Sequence, residues 1–176
     1  MTTTAEPHKL DSIGGPLFRR PDTSHEEFST AWHRHAQVVA SWFLKKFGVV
    51  EYTQIHMPRA DHQDIMSDKD KDSPARRILR QADGVALVRR YQTPMAGGPG
   101  RYFEEVILTD ERRFLHDESG AGAVKGNPPA YDVPELAVDE WRELALQMGG
   151  IEHVKIRDGQ DVVGGAWWGK WEEIEK

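Results

Sequence analysis

Residues 17–56 read LFRRPDTSHEEFSTAWHRHAQVVASWFLKKFGVVEYTQIH, and this stretch decides the fold. Ser24 with Glu27, or Thr23 with Glu26, forms a capping box: the hydroxyl accepts a backbone N–H at a helix start while the glutamate reaches back to the cap. Phe28, Ala31, Trp32, Val38, Val39, Trp42 and Phe43 then recur at helical spacing. They predict an amphipathic helix to about Phe47, stopped by Gly48. His35 falls within the apolar stripe of that helix and His33 falls off it. From Val49 to Met57 the period drops to two, so Val50, Tyr52, Gln54 and His56 share one side of a strand.

Working outward, residues 1–9 read as a loose leader and residues 10–176 as a single domain. Residues 10–19 form a first strand weakened by Gly14, Gly15 and Pro16. The charged run after Pro58 reads as a long exposed loop, and Ser73-Pro74 opens a short helix over 75–81. Asp83-Gly84 turns into a strand over 85–91. Helix follows over 102–108 and continues or restarts towards Phe114. Residues 117–149 form an insertion that ends in a helix over 138–148. A strand over 151–157, a turn at Asp158-Gly159 and a closing strand over 162–168 complete the chain. The principal order, βαββαβ, is the ferredoxin-like plan of an α+β protein, with helices on one face of the sheet. The bare face needs a cover. A second copy of the sheet is the simplest one, which predicts a homodimer.

Composition narrows the function. A net charge of −6 opposes nucleic-acid and anionic-membrane binding. With no cysteine, disulfides, thiolate catalysis and cysteine-based zinc sites are excluded. The N-terminus lacks a basic-then-apolar signal, and no apolar run is long enough for a membrane span, so a cytoplasmic protein is expected. Nucleotide and serine-hydrolase fingerprints (G-x-G-x-x-G, a phosphate loop, G-x-S-x-G) do not occur. Metal is a weak alternative: His56 and His62 with Asp61 and Asp64 are the nearest approach to a ligand set. The Asp68–Asp72 run reads as a solvated loop. No metal and no cofactor are therefore expected.

The remaining chemistry is histidine acid–base work on a small molecule. His35 can take and give a proton near neutral pH, or be a bonded core histidine. On the strand, His56 can act as base, Tyr52 can hold a phenolate or enolate oxygen and Gln54 can orient it, unless that side is wet. Arg90 and Tyr91, ending the third strand, can meet a carboxylate or phenol, or sit on the surface. Trp167, Trp168 and Trp171 fit a subunit contact better than a substrate wall.

Leu17-Phe18-Arg19-Arg20-Pro21, Ser24-His25-Glu26-Glu27-Phe28, Trp32 and His35-Ala36 together resemble the opening of EthD-type proteins of the dimeric α+β barrel superfamily. Tyr52-Thr53-Gln54-Ile55-His56, Asp83-Gly84, Tyr102-Phe103-Glu104-Glu105-Val106 and Asp110-Glu111-Arg112-Arg113-Phe114 follow in the same order, and 150–158 resembles the last strand. The helix histidine follows Trp32 by three residues instead of four, so His33 or His35 can hold the family position. The resemblance implies a cofactor-free pocket inside each barrel; the residues read above put His35, His56 and Tyr52 there as catalytic groups, with Trp32, Gln54, Arg90 and Tyr91 around the substrate. The expected activity is a lyase: a decarboxylase, dehydratase or cyclase acting on a polyketide-derived aromatic or polyketone in secondary metabolism. The alternatives are a cofactor-free oxygenase on an anthrone or quinol, and a non-enzymatic binding or accessory protein.

Overall fold

The computed structural model describes residues 9–58, 73–92, 95–116 and 133–176. Five antiparallel strands form one open sheet in the order β1-β3-β2-β4-β5. They are β1 (Leu10–Leu17), β2 (Val49–His56), β3 (Gly84–Tyr91), β4 (Ile151–Arg157) and β5 (Gln160–Asp161). Helix α1 (His25–Trp42) joins β1 to β2. Ser24 and Glu27 form its capping box, and its last turn widens into a π-helical turn over Phe43–Phe47, ended by left-handed Gly48 at φ 66°. Helix α2 (Pro74–Gln81) precedes β3. A second π-helical turn, Phe103–Ile107, runs into α3 (Leu108–Glu111). Helices α4 (Val138–Gln147) and α5 (Trp168–Ile174) complete the set. Among the described residues, no helix is long and apolar enough to cross a membrane.

The α+β class and the βαββαβ succession are as expected, and the strand order explains where the helices lie. The steps from β1 to β2 and from β3 to β4 both cross two places in the same direction, while β1 and β3 run antiparallel. Crossovers of one hand then carry their helices to opposite faces. On one face, Val38, Val39 and Trp42 of α1 pack with Tyr52, Val88, Tyr102, Ile107 and Ile156, and Trp171 of α5 joins them. On the other, Leu79 of α2 and Trp141 and Ala145 of α4 pack on Ile55 and Val85. Helices on one face thus describes α1, α3 and α5, whereas α2 and α4 cover part of the face expected to be bare.

Two details depart from the sequence reading. The closing strand expected over 162–168 is reduced to β5. The Asp161 carboxylate accepts the Val163 and Gly164 N–H groups, and two left-handed glycines, Gly164 and Gly165, turn the chain into α5. Two tryptophans of this segment make contacts within the chain: Trp171 lies edge-on to Tyr102, and Lys45 sits over Trp168, while Trp167 is exposed. Most of the leader, the 59–72 loop with its Asp61, His62 and Asp64, and residues 117–132 of the insertion lie outside the described residues.

Trp141, 2% exposed, is the main side chain by which α4 closes the second sheet face. Trp141→Ala is expected to lower the unfolding free energy by about 3–5 kcal/mol, read as a lower urea midpoint. An unchanged midpoint would mean that this helix is a dispensable flap.

Candidate functional site

Three elements supply one cluster of side chains. On α1, His25, Ser29 and His33 recur every four residues and so lie on one helical face. Strand β2 ends in His56, with Gln54 and Tyr52 behind it on the same side. Strand β4 sets His153 opposite Gln54 in register and places Lys155 two residues further on. Together they border a cavity of about 460 Å³, lined by His25, Ser29, His33, His56 and His153, with Met57, Pro58 and Ile151 as its apolar part. Among the described residues no Asp or Glu lines it.

A hydrogen-bond chain fixes the state of His56. The Gln54 side-chain amide donates to the Trp32 carbonyl (2.7 Å) and to the Tyr52 hydroxyl (2.9 Å). Its oxygen is therefore left to accept, and the His56 Nε2–H donates to it over 3.1 Å. With the ring proton on Nε2, His56 Nδ1 is an acceptor, and the Ser29 hydroxyl donates to it over 2.7 Å. Trp32 lies against the ring, centroids 4.7 Å apart. Burial, together with the neighbouring His153, His33, Lys155 and His25, pulls the pKa of His56 down to about 3.

A second pair stands beside it. Lys155 Nζ lies 2.8 Å from His33 Nδ1. An ammonium only donates, so His33 accepts at Nδ1 and carries its proton on Nε2. Lys155 is 3% exposed, forms no ion pair with a described carboxylate, and is pulled by burial to about 8. Burial and the Lys155 charge also hold both His33 and His153 below the ordinary histidine value. The His33, His56 and His153 ring centroids are 4.9–6.1 Å apart. Among the described residues no group of three or more His, Asp or Glu has metal-holding geometry. His25 Nδ1 is anchored on Asp83 (2.8 Å), which also accepts from Arg19.

The structure brings Tyr52, Gln54, His56 and Trp32 into one chain of contacts and leaves three other expected residues elsewhere. His35, 3% exposed, points away from His33 and meets Asp110 (2.6 Å) and Glu111 (3.3 Å), so His35 and His56 do not converge on one hollow. Residues two apart on a helix diverge in this way. Arg90 lies over the Phe47 ring at 4.2 Å and faces Asp11 at 4.0 Å, and Tyr91 is exposed at the strand end. Sequence reasoning left His33 and His35 as alternatives, of which His33 lines the cavity, and it missed Ser29, His153 and Lys155. The signals were the four-residue recurrence from His25 and the alternation of His153 with Lys155.

A family model described as EthD domain matches residues 20–118. No curated protein and no solved structure matches the chain.

Two pH-linked outcomes follow from these geometries. Burial pulls His35 down, but its bonds to Asp110 and Glu111 outweigh that and hold it above its ordinary 6.5; the same pairing holds Asp110 below its ordinary 3.8 against the effect of burial. The His35 contribution to stability is complete below 6.5 and is lost as pH rises through the raised value. That of Asp110 is complete above 3.8 and is lost as pH falls through the lowered value. Asp110→Asn is therefore expected to cost about 2–3 kcal/mol between these limits and less on either side, measured by urea unfolding across pH. In an NMR titration, the His56 ring should keep the neutral Nε2–H pattern down to about pH 4. A midpoint near 6.5 would refute its burial among like neighbours.

Proposed function

This chain belongs to the EthD domain family, and from that premise we propose that it is a cofactor-independent enzyme of lyase type. Its substrate in this reading is a polyketide-derived aromatic or polyketone of secondary metabolism. The reaction is a decarboxylation, dehydration or aldol-type cyclisation. Each of these passes through an enolate or phenolate, which needs a donor for the oxygen; dehydration and cyclisation also need a base for the α-proton, whereas in decarboxylation the loss of CO2 generates the enolate and water returns a proton to carbon.

The observation that carries the reading is the gathering of four imidazoles around one cavity that no described carboxylate lines. Their depressed pKa values keep His33, His56 and His153 neutral at neutral pH, the state in which an imidazole accepts a proton. His153, whose ring nitrogens carry no hydrogen bond to a described residue, takes the proton. His33, holding its proton on Nε2 because Lys155 occupies Nδ1, is the N–H donor that faces the oxygens of the substrate. The ammonium behind it strengthens that donor. His56, with both nitrogens engaged, orients the Ser29 hydroxyl at the cavity, and Gln54, Tyr52 and Trp32 hold His56 in place. In this reading His35 and Arg90 serve the scaffold.

Assembly as a homodimer belongs to the same proposal. Leu10 and Tyr91, paired in register, remain exposed at the β1 end of the sheet, beyond the cover supplied by α4. Light scattering should return twice the 20.0 kDa chain mass.

The chemical test is solvent exchange. The protein is incubated in deuterated water with a panel of enolisable phenols, polyketones and β-keto acids, and uptake or product is read by mass spectrometry. His33→Ala and His153→Ala are each expected to slow the reacting member by about 10²–10⁴-fold. Rates indifferent to both changes would eliminate the histidine mechanism.

A further inference from the structure

Lys155 is the group that the reaction above uses least and the fold buries most expensively. An ammonium taken out of water loses several kcal/mol of solvation unless an opposite charge or good acceptors replace the water. Here the described residues offer it a single neutral partner, His33 Nδ1, and no carboxylate. Other cations of the fold are compensated: Arg19 by Asp83, Arg89 by Glu51 and Asp139, Arg142 by Glu152. The missing charge can be supplied from the cavity, because His33 connects the two. Its Nδ1 takes the ammonium N–H, and its Nε2–H, which carries no bond to a described residue, is left for a ligand. His153 adds a second ring within 5.3 Å of His33. Among the described residues nothing acidic lines the cavity to repel an anion, and Met57, Pro58 and Ile151 give it an apolar wall suited to a ring or a hydrocarbon skeleton.

We propose that the Lys155–His33 pair makes this cavity a carboxylate-binding site, so that the ligand is an organic acid bound as its anion. The inference rests on reading the cavity as the substrate pocket, and it adds the substrate's charge. The carboxylate accepts from His33 Nε2–H, and Lys155 reaches it electrostatically through the imidazole. Lys155 is thus a positioning residue. Its downward-shifted pKa of about 8 leaves the amine mostly protonated at neutral pH, as this role requires.

The test is calorimetry at neutral pH with benzoate, its uncharged isostere benzamide, and sulfate, on the full chain and on Lys155→Met. Benzoate is expected to bind at least about tenfold more tightly than benzamide or sulfate, and Lys155→Met to weaken benzoate by about tenfold or more. Methionine fills the lysine's volume without its charge, so the variant's urea midpoint should equal or exceed that of the parent; Lys155→Gln is the second variant. In a ¹⁵N NMR spectrum, benzoate should shift the His33 Nε2 resonance. Equal binding of benzamide, equal binding of sulfate, undiminished benzoate binding by both Lys155 variants, or no binding of benzoate at all would each overturn the proposal. These measurements need no turnover, so they fail or succeed separately from the exchange chemistry.

Discussion

The hydrogen bond from the Gln54 amide to the Trp32 carbonyl is the constraint on which the site depends. It ties the middle of α1 to the middle of β2 in a buried setting, where an unmade bond is costly. Because the acceptor is a carbonyl, the amide has only one orientation, and that orientation dictates the tautomer of His56 and then the direction of the Ser29 hydroxyl. Glycine at position 84 completes the arrangement. A Cβ there would run into the Trp32 ring, so the indole lies flat over the start of β3 and against His56. Neutral dipoles, not charges, thus set the geometry of the inner part of the site, which is consistent with an imidazole held far from protonation.

Charge enters from the other side. Strand β4 lies beyond β2, and this placement brings His153 and Lys155 to the α1 face. The register slips between Tyr52 and Thr53, so β4 carries an extra residue there, and Lys155 falls in that irregularity. Alternation alone puts Lys155 on the side of His153, and the residue that the bulge re-aims is Ile156, which returns to that same face opposite Tyr52. The same strand order sends α4 to the opposite face, so the position of β4 decides both what the site contains and how the second face is covered.

Much of the frame was legible in the residues. The Ser24–Glu27 box, the Gly48 stop, the two-residue period of β2, the Pro74 helix and the Asp158-Gly159 turn each follow from a local rule, and local rules are what a sequence carries most directly. The site was half legible. Tyr52, Gln54 and His56 were read from one strand face, and they do form one chain of bonds. His33 was read as lying off the apolar stripe, though it stayed beside His35 as a holder of the family position. Yet α1 is a helix with two working faces: the stripe packs on the sheet, while the His25–Ser29–His33 face borders a cavity that only β4 completes. That completion, from more than a hundred residues away, is a matter of strand order, and strand order leaves no local mark. His35 illustrates the converse. A histidine inside an apolar stripe needs a partner, and its partners, Asp110 and Glu111, sit on a helix whose docking the local pattern does not announce.

The glycines of β1 carry a further consequence. Gly14 and Gly15 take φ values of 139° and 146°, open only to glycine, and Pro16 follows with no N–H to offer. This strand ends the sheet. A regular edge invites a foreign strand to add on, and runaway stacking of that kind is how sheet proteins precipitate. Two inverted residues and a missing donor spoil the template at its centre. The irregularity that weakens β1 as a strand is therefore also its protection: an edge broken in this way offers an incoming strand no regular ladder to copy.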